Sequence, residues 1–119
     1  MLTREARRKK RHKTIRRKLY GTMERPRLCV RRSLNHLYAQ AIDDVEGKTL
    51  FAFSTRDKGF ESVRPKSGKV SQAQKMGEFF AAQLKKKGIE KIALDRSGYR
   101  YHGRIKALAE SLRQGGIQF

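Results

Sequence analysis

Apolar positions along this chain recur with two periods, first two and then 3.6, and their order predicts strands followed by helices. Leu28 and Val30 point one way while Arg27, Cys29 and Arg31 point the other, as in a strand with one buried face and one cationic face. Ser33-Leu34-Asn35-His36 reads as a tight turn, and a second strand follows from about Leu37 to Asp43. Asp44 to Gly47 makes another turn, and a third strand covers Thr49 to Ser54. The three form an antiparallel meander. Because Leu50 and Ala52 on one face oppose Phe51 and Phe53 on the other, the third strand is expected to be central in the sheet or covered on both sides.

Thr55 to Lys69 carries two Gly and a Pro without any period, and reads as a loop. Beyond it, with Ser71 as N-cap, Ala73, Met76, Phe80 and Leu84 recur at helical spacing. Lys85 to Lys87 suit the negative end of that helix and Gly88 is its stop. Phe79 and Phe80 are assigned to the core. Lys91 to Asp95 reads as a short buried strand, reached by a crossover that makes it parallel to a neighbour. Ile105, Leu108, Ala109 and Leu112 then mark a second helix that ends at Gly115-Gly116. The predicted class is α/β: a mixed sheet of about four strands, an antiparallel meander plus a parallel strand, with two helices on one face.

Charge adds a separate unit in front of this fold. The first 32 residues carry fourteen Lys or Arg against Glu5 and Glu24, a net of +12, and the remainder carries sixteen against nine, a net of +7. Residues 1–24 are therefore expected to be a basic arm and residues 25–119 one globular domain, with Arg25-Pro26 extended between them. Like charges in the runs from Arg7 to Lys13 and Arg16 to Lys18 repel, so the arm is expected to be disordered until paired. A helix is nevertheless available to it. Thr3 can serve as N-cap with Glu5 in the first turn, and Ile15 and Leu19 lie four apart.

At 119 residues the chain has room for one domain, which excludes a two-domain enzyme. A net charge of +19 calls for a polyanion, and nucleic acid is the expected partner. No apolar run approaches the roughly 18 residues of a membrane span, so a soluble protein is expected. The single cysteine cannot form an internal disulfide, and no leader pattern opens the chain, so secretion is not expected.

Catalytic chemistry finds no foothold. His12, His36 and His102 are far apart and lack partners at metal-ligand spacing, so neither a metal nor a cofactor is expected. Gly68-Lys69 fails the phosphate-loop pattern twice, because Val63 stands at its first Gly and Val70 at its Ser or Thr. Asp43-Asp44 begins a turn, where Asp is favoured, rather than forming a catalytic pair. Cys29 is expected to be half-buried filler between Arg27 and Arg31.

One segment is richer. Residues Arg96 to Arg104 pack Arg96, Arg100 and Arg104 with Tyr99, Tyr101 and His102 around two glycines, just after a strand. Guanidinium groups grip phosphates, aromatic rings stack on bases, and glycine lets backbone approach, a composition that suits unpaired RNA. The same residues would equally serve to close the sheet edge, with Asp95 capping the turn. Both readings stand on composition alone.

The chain resembles the large-subunit ribosomal protein L-eighteen family, of bacterial or plastid type. The likeness is carried by Arg7-Arg8-Lys9-Lys10-Arg11-His12, Gly21-Thr22, Arg25-Pro26-Arg27-Leu28, His36-Leu37-Tyr38-Ala39-Gln40 with Ile42-Asp43-Asp44, and Asp95-Arg96. It continues through Tyr99, Tyr101-His102-Gly103-Arg104 and Lys106-Ala107-Leu108-Ala109, and so covers nearly the whole chain. The resemblance implies a non-catalytic structural constituent of the large ribosomal subunit. It implies binding to 5S rRNA, bridging to 23S rRNA in the central protuberance beside neighbouring ribosomal proteins, and neither a membrane nor a homo-oligomeric role. The bacterial cytoplasm is the expected location, with the plastid stroma as the alternative, and an architectural DNA-binding protein is the alternative function.

The residues expected to meet RNA are Arg4, Arg7, Arg8, Lys9, Lys10, Arg11, His12, Lys13, Arg16, Arg17 and Lys18 in the arm. In and around the first two strands they are Arg25, Arg27, Arg31, Arg32, Ser33, His36 and Tyr38, and in the loop Arg96, Tyr99, Arg100, Tyr101, His102 and Arg104. Three positions depart from the family pattern: Arg31 stands where an aromatic residue is frequent, Leu34-Asn35 replaces a polar-basic turn, and Ser97 occupies a frequent glycine position.

Overall fold

The computed structural model describes residues 3–61 and 68–119. The elements run α1 (Arg4–Arg16), β1 (Arg27–Arg32), β2 (Leu37–Asp43), β3 (Lys48–Ser54), α2 (Lys58–Glu61), α3 (Lys69–Lys86), β4 (Ala93–Asp95) and α4 (Arg104–Gln114). The sheet order is β3-β2-β1-β4, with β1 antiparallel to β2, β2 antiparallel to β3, and β1 parallel to β4. The predicted mixed sheet, meander and parallel strand are all present.

Alternation decides which face is inside. Leu28 and Val30 on β1 and Leu37, Ala39 and Ala41 on β2 are buried against Ala73, Met76, Phe80 and Leu84 of α3 and Ile105, Leu108 and Leu112 of α4. Both long helices thus cover one face of the sheet, as their apolar stripes require. They also end alike. At the C-terminus of α3, Ile89 N–H reaches Leu84 O and Gly88 N–H reaches Lys85 O; at that of α4, Ile117 N–H reaches Leu112 O and Gly116 N–H reaches Arg113 O. These are paired Schellman motifs, and the positive φ each demands is supplied by Gly88 at 75° and Gly116 at 92°. Each turn drops a buried isoleucine, Ile89 or Ile117, into the core.

Four expectations are revised. β3 is an edge strand, not a central one. Its bulk on two faces has another cause: Phe51 and Phe53 belong to an aromatic cluster, with Phe79 stacked 4.3 Å from Phe53 and Phe80 tilted 5.0 Å from Phe51, while Ala52 on the other face is exposed. The stretch after Thr55 is not wholly loop. It holds the single turn α2, whose Phe60 is buried and meets Phe53 edge-on at 5.9 Å, whereas the part of the predicted loop at residues 62–67 lies outside the described residues. α3 starts at Lys69 behind Gly68, two residues before the expected Ser71 cap, and has no side-chain cap. Finally, the arm is a helix held on the body rather than a disordered segment, with Thr3 Oγ1 accepting from Ala6 N–H as its N-cap and Glu5 in its first turn.

Candidate nucleic-acid interface

α1 has no buried residue, so no apolar stripe holds it. Its grip on the body is polar and is concentrated on one helical face. Arg8, His12 and Arg16 stand four apart and share that face. Arg8 Nη1 donates to Ser97 O at 2.7 Å, His12 Nε2 lies 3.0 Å from Asp95 Oδ2, and Arg16 Nη1 lies 3.7 Å from Asp44 Oδ2. Arg11 Nε adds a bond to Gly98 O at 2.9 Å.

Glycine is required where the helix lands. A Cβ on Gly98 would stand 2.2 Å from Arg8 O and 3.0 Å from His12 N, and its φ of 83° is in the left-handed region. Ser97 beside it also sits at a positive φ, 56°, which is uncommon for a residue with a side chain. Two contacts hold it there: its N–H donates to Asp95 Oδ1 at 2.9 Å, and its Oγ lies 3.3 Å from Cys29 Sγ. A residue with a side chain thus holds a left-handed turn that glycine adopts most readily.

Beneath α1, one guanidinium ties the two docking carboxylates together. Arg27 donates through Nη1 to Asp95 Oδ2 at 2.7 Å, and through Nε and Nη2 to the two oxygens of Asp44 at 2.9 and 3.1 Å. Burial opposes the charge on Arg27, but the hydrogen bonds it donates to Asp44 and Asp95 prevail and hold its pKa above the ordinary value. In turn the hydrogen bond from Arg27 lowers the pKa of Asp44, helped by the Gly21 N–H that donates to the same carboxylate at 2.8 Å. Asp95 is fully buried and Arg27 nearly so. Arg27 is thus built into the body, where all three of its donating atoms face carboxylates.

At the other end of β1, a second group forms around Tyr99. The guanidinium groups of Arg8 and Arg32 both lie over its ring, 4.7 and 4.9 Å from the centroid, and its hydroxyl donates to Arg32 O at 3.2 Å. Arg104 Nη2 donates to Ser33 O at 2.8 Å, and burial, then the nearby Arg32 charge, lowers the Arg104 pKa. The structure thereby brings together Arg8, Arg32, Ser33, Tyr99 and Arg104 from three separate stretches of sequence.

The remaining expected residues are distributed more widely. Arg4, Arg7, Lys9, Lys10, Lys13, Arg17 and Lys18 are exposed, and none is in an ion pair among the described residues. Arg31 is exposed on the sheet face that α1 overhangs, and Tyr38, its partner across β2, is half-buried. Arg96 is half-buried, and Arg100 and His102 are exposed. Tyr101 is exposed too, its hydroxyl accepting from Arg113 Nη1 at 3.4 Å on the α4 side. His36 Nδ1 lies 3.1 Å from Thr55 Oγ1, within the turn closed by Ser33 N–H on His36 O. Arg25 lies at the opposite end of the strand, donating through Nε to Ile92 O at 3.2 Å.

Asp44 and Asp95 escaped the sequence reading as parts of this site. Both look like turn residues locally, and Asp95 does cap the turn at Ser97, but their partners lie 17 to 83 residues away. The one available signal was the four-residue spacing of Arg8, His12 and Arg16.

Comparison with known proteins assigns the family. A profile of the family described as ribosomal L18 of archaea, bacteria, mitochondria and chloroplast matches residues 2–119. The large ribosomal subunit protein uL18 of Heliobacterium modesticaldum is 52% identical over 118 residues, spanning 99% of this chain and 97% of that protein. The proteins of the same name from Aquifex pyrophilus and Koribacter versatilis are 50% and 51% identical, over 98% and 100% of this chain and 96% and 100% of their own. With a family profile and half-identical relatives both running nearly end to end, this chain belongs to the ribosomal L18 family.

Proposed function

We propose that this protein binds 5S rRNA and helps attach it to 23S rRNA in the central protuberance of the large subunit. The coarser role follows from family membership: it is a structural constituent of the large ribosomal subunit and not an enzyme, partnered by rRNA and other ribosomal proteins in the cytoplasm. The observation that carries the finer reading is the two-sided use of α1. One face is occupied by the body, while seven exposed cations, from Arg4 to Lys18, are left without carboxylate partners among the described residues. Such an array neutralises phosphates and gives affinity without sequence preference.

Shape selectivity needs a rigid second element, and the Tyr99 group supports that role. Because the Tyr99 ring already carries two guanidinium groups, it fixes Arg8 and Arg32 relative to each other instead of offering its face to a base. Tyr101, His102 and Arg100 remain the exposed contact residues of the loop. On this reading the arm, residues 1–24, and the body, residues 25–119, grip one RNA as a unit.

Direct binding tests the proposal. At about 0.15 M salt the full chain should hold 5S rRNA while random RNA of equal length and duplex DNA both compete poorly. Equal competition by random RNA would overturn the 5S assignment, and preference for the duplex would favour an architectural DNA-binding protein.

A further inference from the structure

We propose that the groove between α1 and β1 is a seat for the sugar-phosphate backbone of an RNA strand, with Lys9, Lys13 and Arg31 as its phosphate contacts and Cys29 on its floor. The inference rests on the rRNA-binding reading above and assigns that reading a particular place. The groove encloses about 440 Å³, well above the space of a single ion and within the range of sites that take a nucleotide-sized group, about 300 to 1,000 Å³. Cys29 and Ser97 form its floor, and no carboxylate among the described residues lines it.

Charge decides what the groove holds. Lys9 and Lys13, four apart, project from one turn to the next of α1, and Arg31 faces them from the strand. None of the three is in an ion pair among the described residues. The Glu5 carboxylate lies within electrostatic reach of Lys9 and Arg31 but is committed to Arg8. The cations converging on this concave wall outnumber it and raise the local concentration of an anion. A polymer fits better than a free phosphate because exposed cations continue along α1 beyond the groove, at Lys10 and Arg17.

The groove keeps its width because its walls are tied elsewhere. Arg8 and His12, which also border it, are committed to Ser97 O and Asp95, and Arg27 holds Asp95 and Asp44 in place beneath. His12 is therefore a positioning residue, and Lys13 beside it is a contact residue. Adjacent residues are thus assigned distinguishable roles.

Two readouts on the full chain test this. In the first, Cys29 of the otherwise unmodified protein is alkylated with a small thiol reagent, alone, with saturating 5S rRNA, and with millimolar inorganic phosphate. RNA should slow the reaction several-fold and phosphate should not. Equal rates with and without RNA, or protection by phosphate but not by RNA, would overturn the seat.

In the second, the salt dependence of 5S rRNA affinity is measured for Lys13→Ala, Arg31→Ala and His12→Ala. Each contact variant should flatten the logarithmic salt slope by about 0.7 to 0.9, the value of one phosphate contact, whereas His12→Ala should weaken binding with an unchanged slope. Unchanged slopes for both Lys13→Ala and Arg31→Ala would overturn the assignment whatever the thiol does. If Cys29 is protected equally by 5S and random RNA, the seat stands and the 5S reading falls. If 5S is preferred but neither readout responds, the seat falls alone.

Discussion

α1 and α4 are helices of similar length held to the same body by opposite means. α4 buries six of its eleven residues, Ile105, Ala107, Leu108, Ala109, Ser111 and Leu112, whereas α1 buries none of thirteen. Apolar burial locks a helix by area and is insensitive to salt. Guanidinium hydrogen bonds to two carbonyls, the His12–Asp95 hydrogen bond and the Arg16–Asp44 ion pair lock it by geometry, and leave the rest of its cations available. On the proposed reading α1 carries charge to a polyanion, and a helix used that way cannot spend its surface on an apolar stripe, so its docking comes from the polar inventory. Arg8, His12 and Arg16 do this while the cations around them stay exposed.

The comparison breaks first at Arg27, which serves both sides. Arg27→Ala would leave the fully buried Asp95 and the neighbouring Asp44 without their shared cation, a loss of about 3 to 5 kcal/mol by the usual cost of orphaning a buried ion-pair partner. Thermal or urea unfolding measures it, and a cost below about 1 kcal/mol would show that the two carboxylates find other partners.

Next comes the apolar half. Leu108→Ala should destabilise the body by about 2 to 5 kcal/mol, because Leu108 is 1% exposed and its removal leaves a cavity between helices and sheet. Ile15→Ala, a comparable truncation on the half-exposed face of α1, should cost a small fraction of that in the same unfolding measurement. Equal costs would mean that α1 is held by burial after all.

Acid supplies a graded test of the polar half. Since Arg27 lowers the pKa of Asp44 in the folded protein, Asp44 contributes stability that is fully present above its ordinary value of 3.8 and is lost as pH falls through the lower folded value. Wild type should therefore exceed Asp44→Asn in Tm by a constant margin from pH 7 to about pH 5, and the margin should close below about pH 4. A margin that stays constant to pH 2 would remove Asp44 from the clasp.

What could be read from the sequence follows the same division. Period-3.6 stripes exposed α3 and α4, and period-2 alternation exposed β1 and the meander, because burial repeats along a chain. β3 was misplaced because Phe51 and Phe53 were counted as sheet bulk when they belong to a cluster with Phe79, Phe80 and the single-turn helix α2. α2 itself, four residues anchored by Phe60, is too short to show any period. The candidate site was legible as composition, in the arm cations and the Arg96 to Arg104 loop, but not as geometry. Arg27 looked like one more surface cation until Asp44 and Asp95 came into register beside it, and Tyr99 looked like a stacking platform until Arg8 and Arg32 were found over its ring. Long-range polar contacts leave no periodic trace.

The central claim, that a polar-docked arm supplies charge while an apolar-packed body supplies the fold, is tested most directly by removing residues 1–17. The truncated chain and the full chain would be compared for Tm and for 5S rRNA affinity across a salt series. The account predicts a Tm within a few degrees of the full chain, since α1 buries no residue, together with a weaker affinity and a clearly flatter logarithmic salt slope. A body that no longer folds without the arm, or a truncated chain whose salt slope equals that of the full chain, would contradict it.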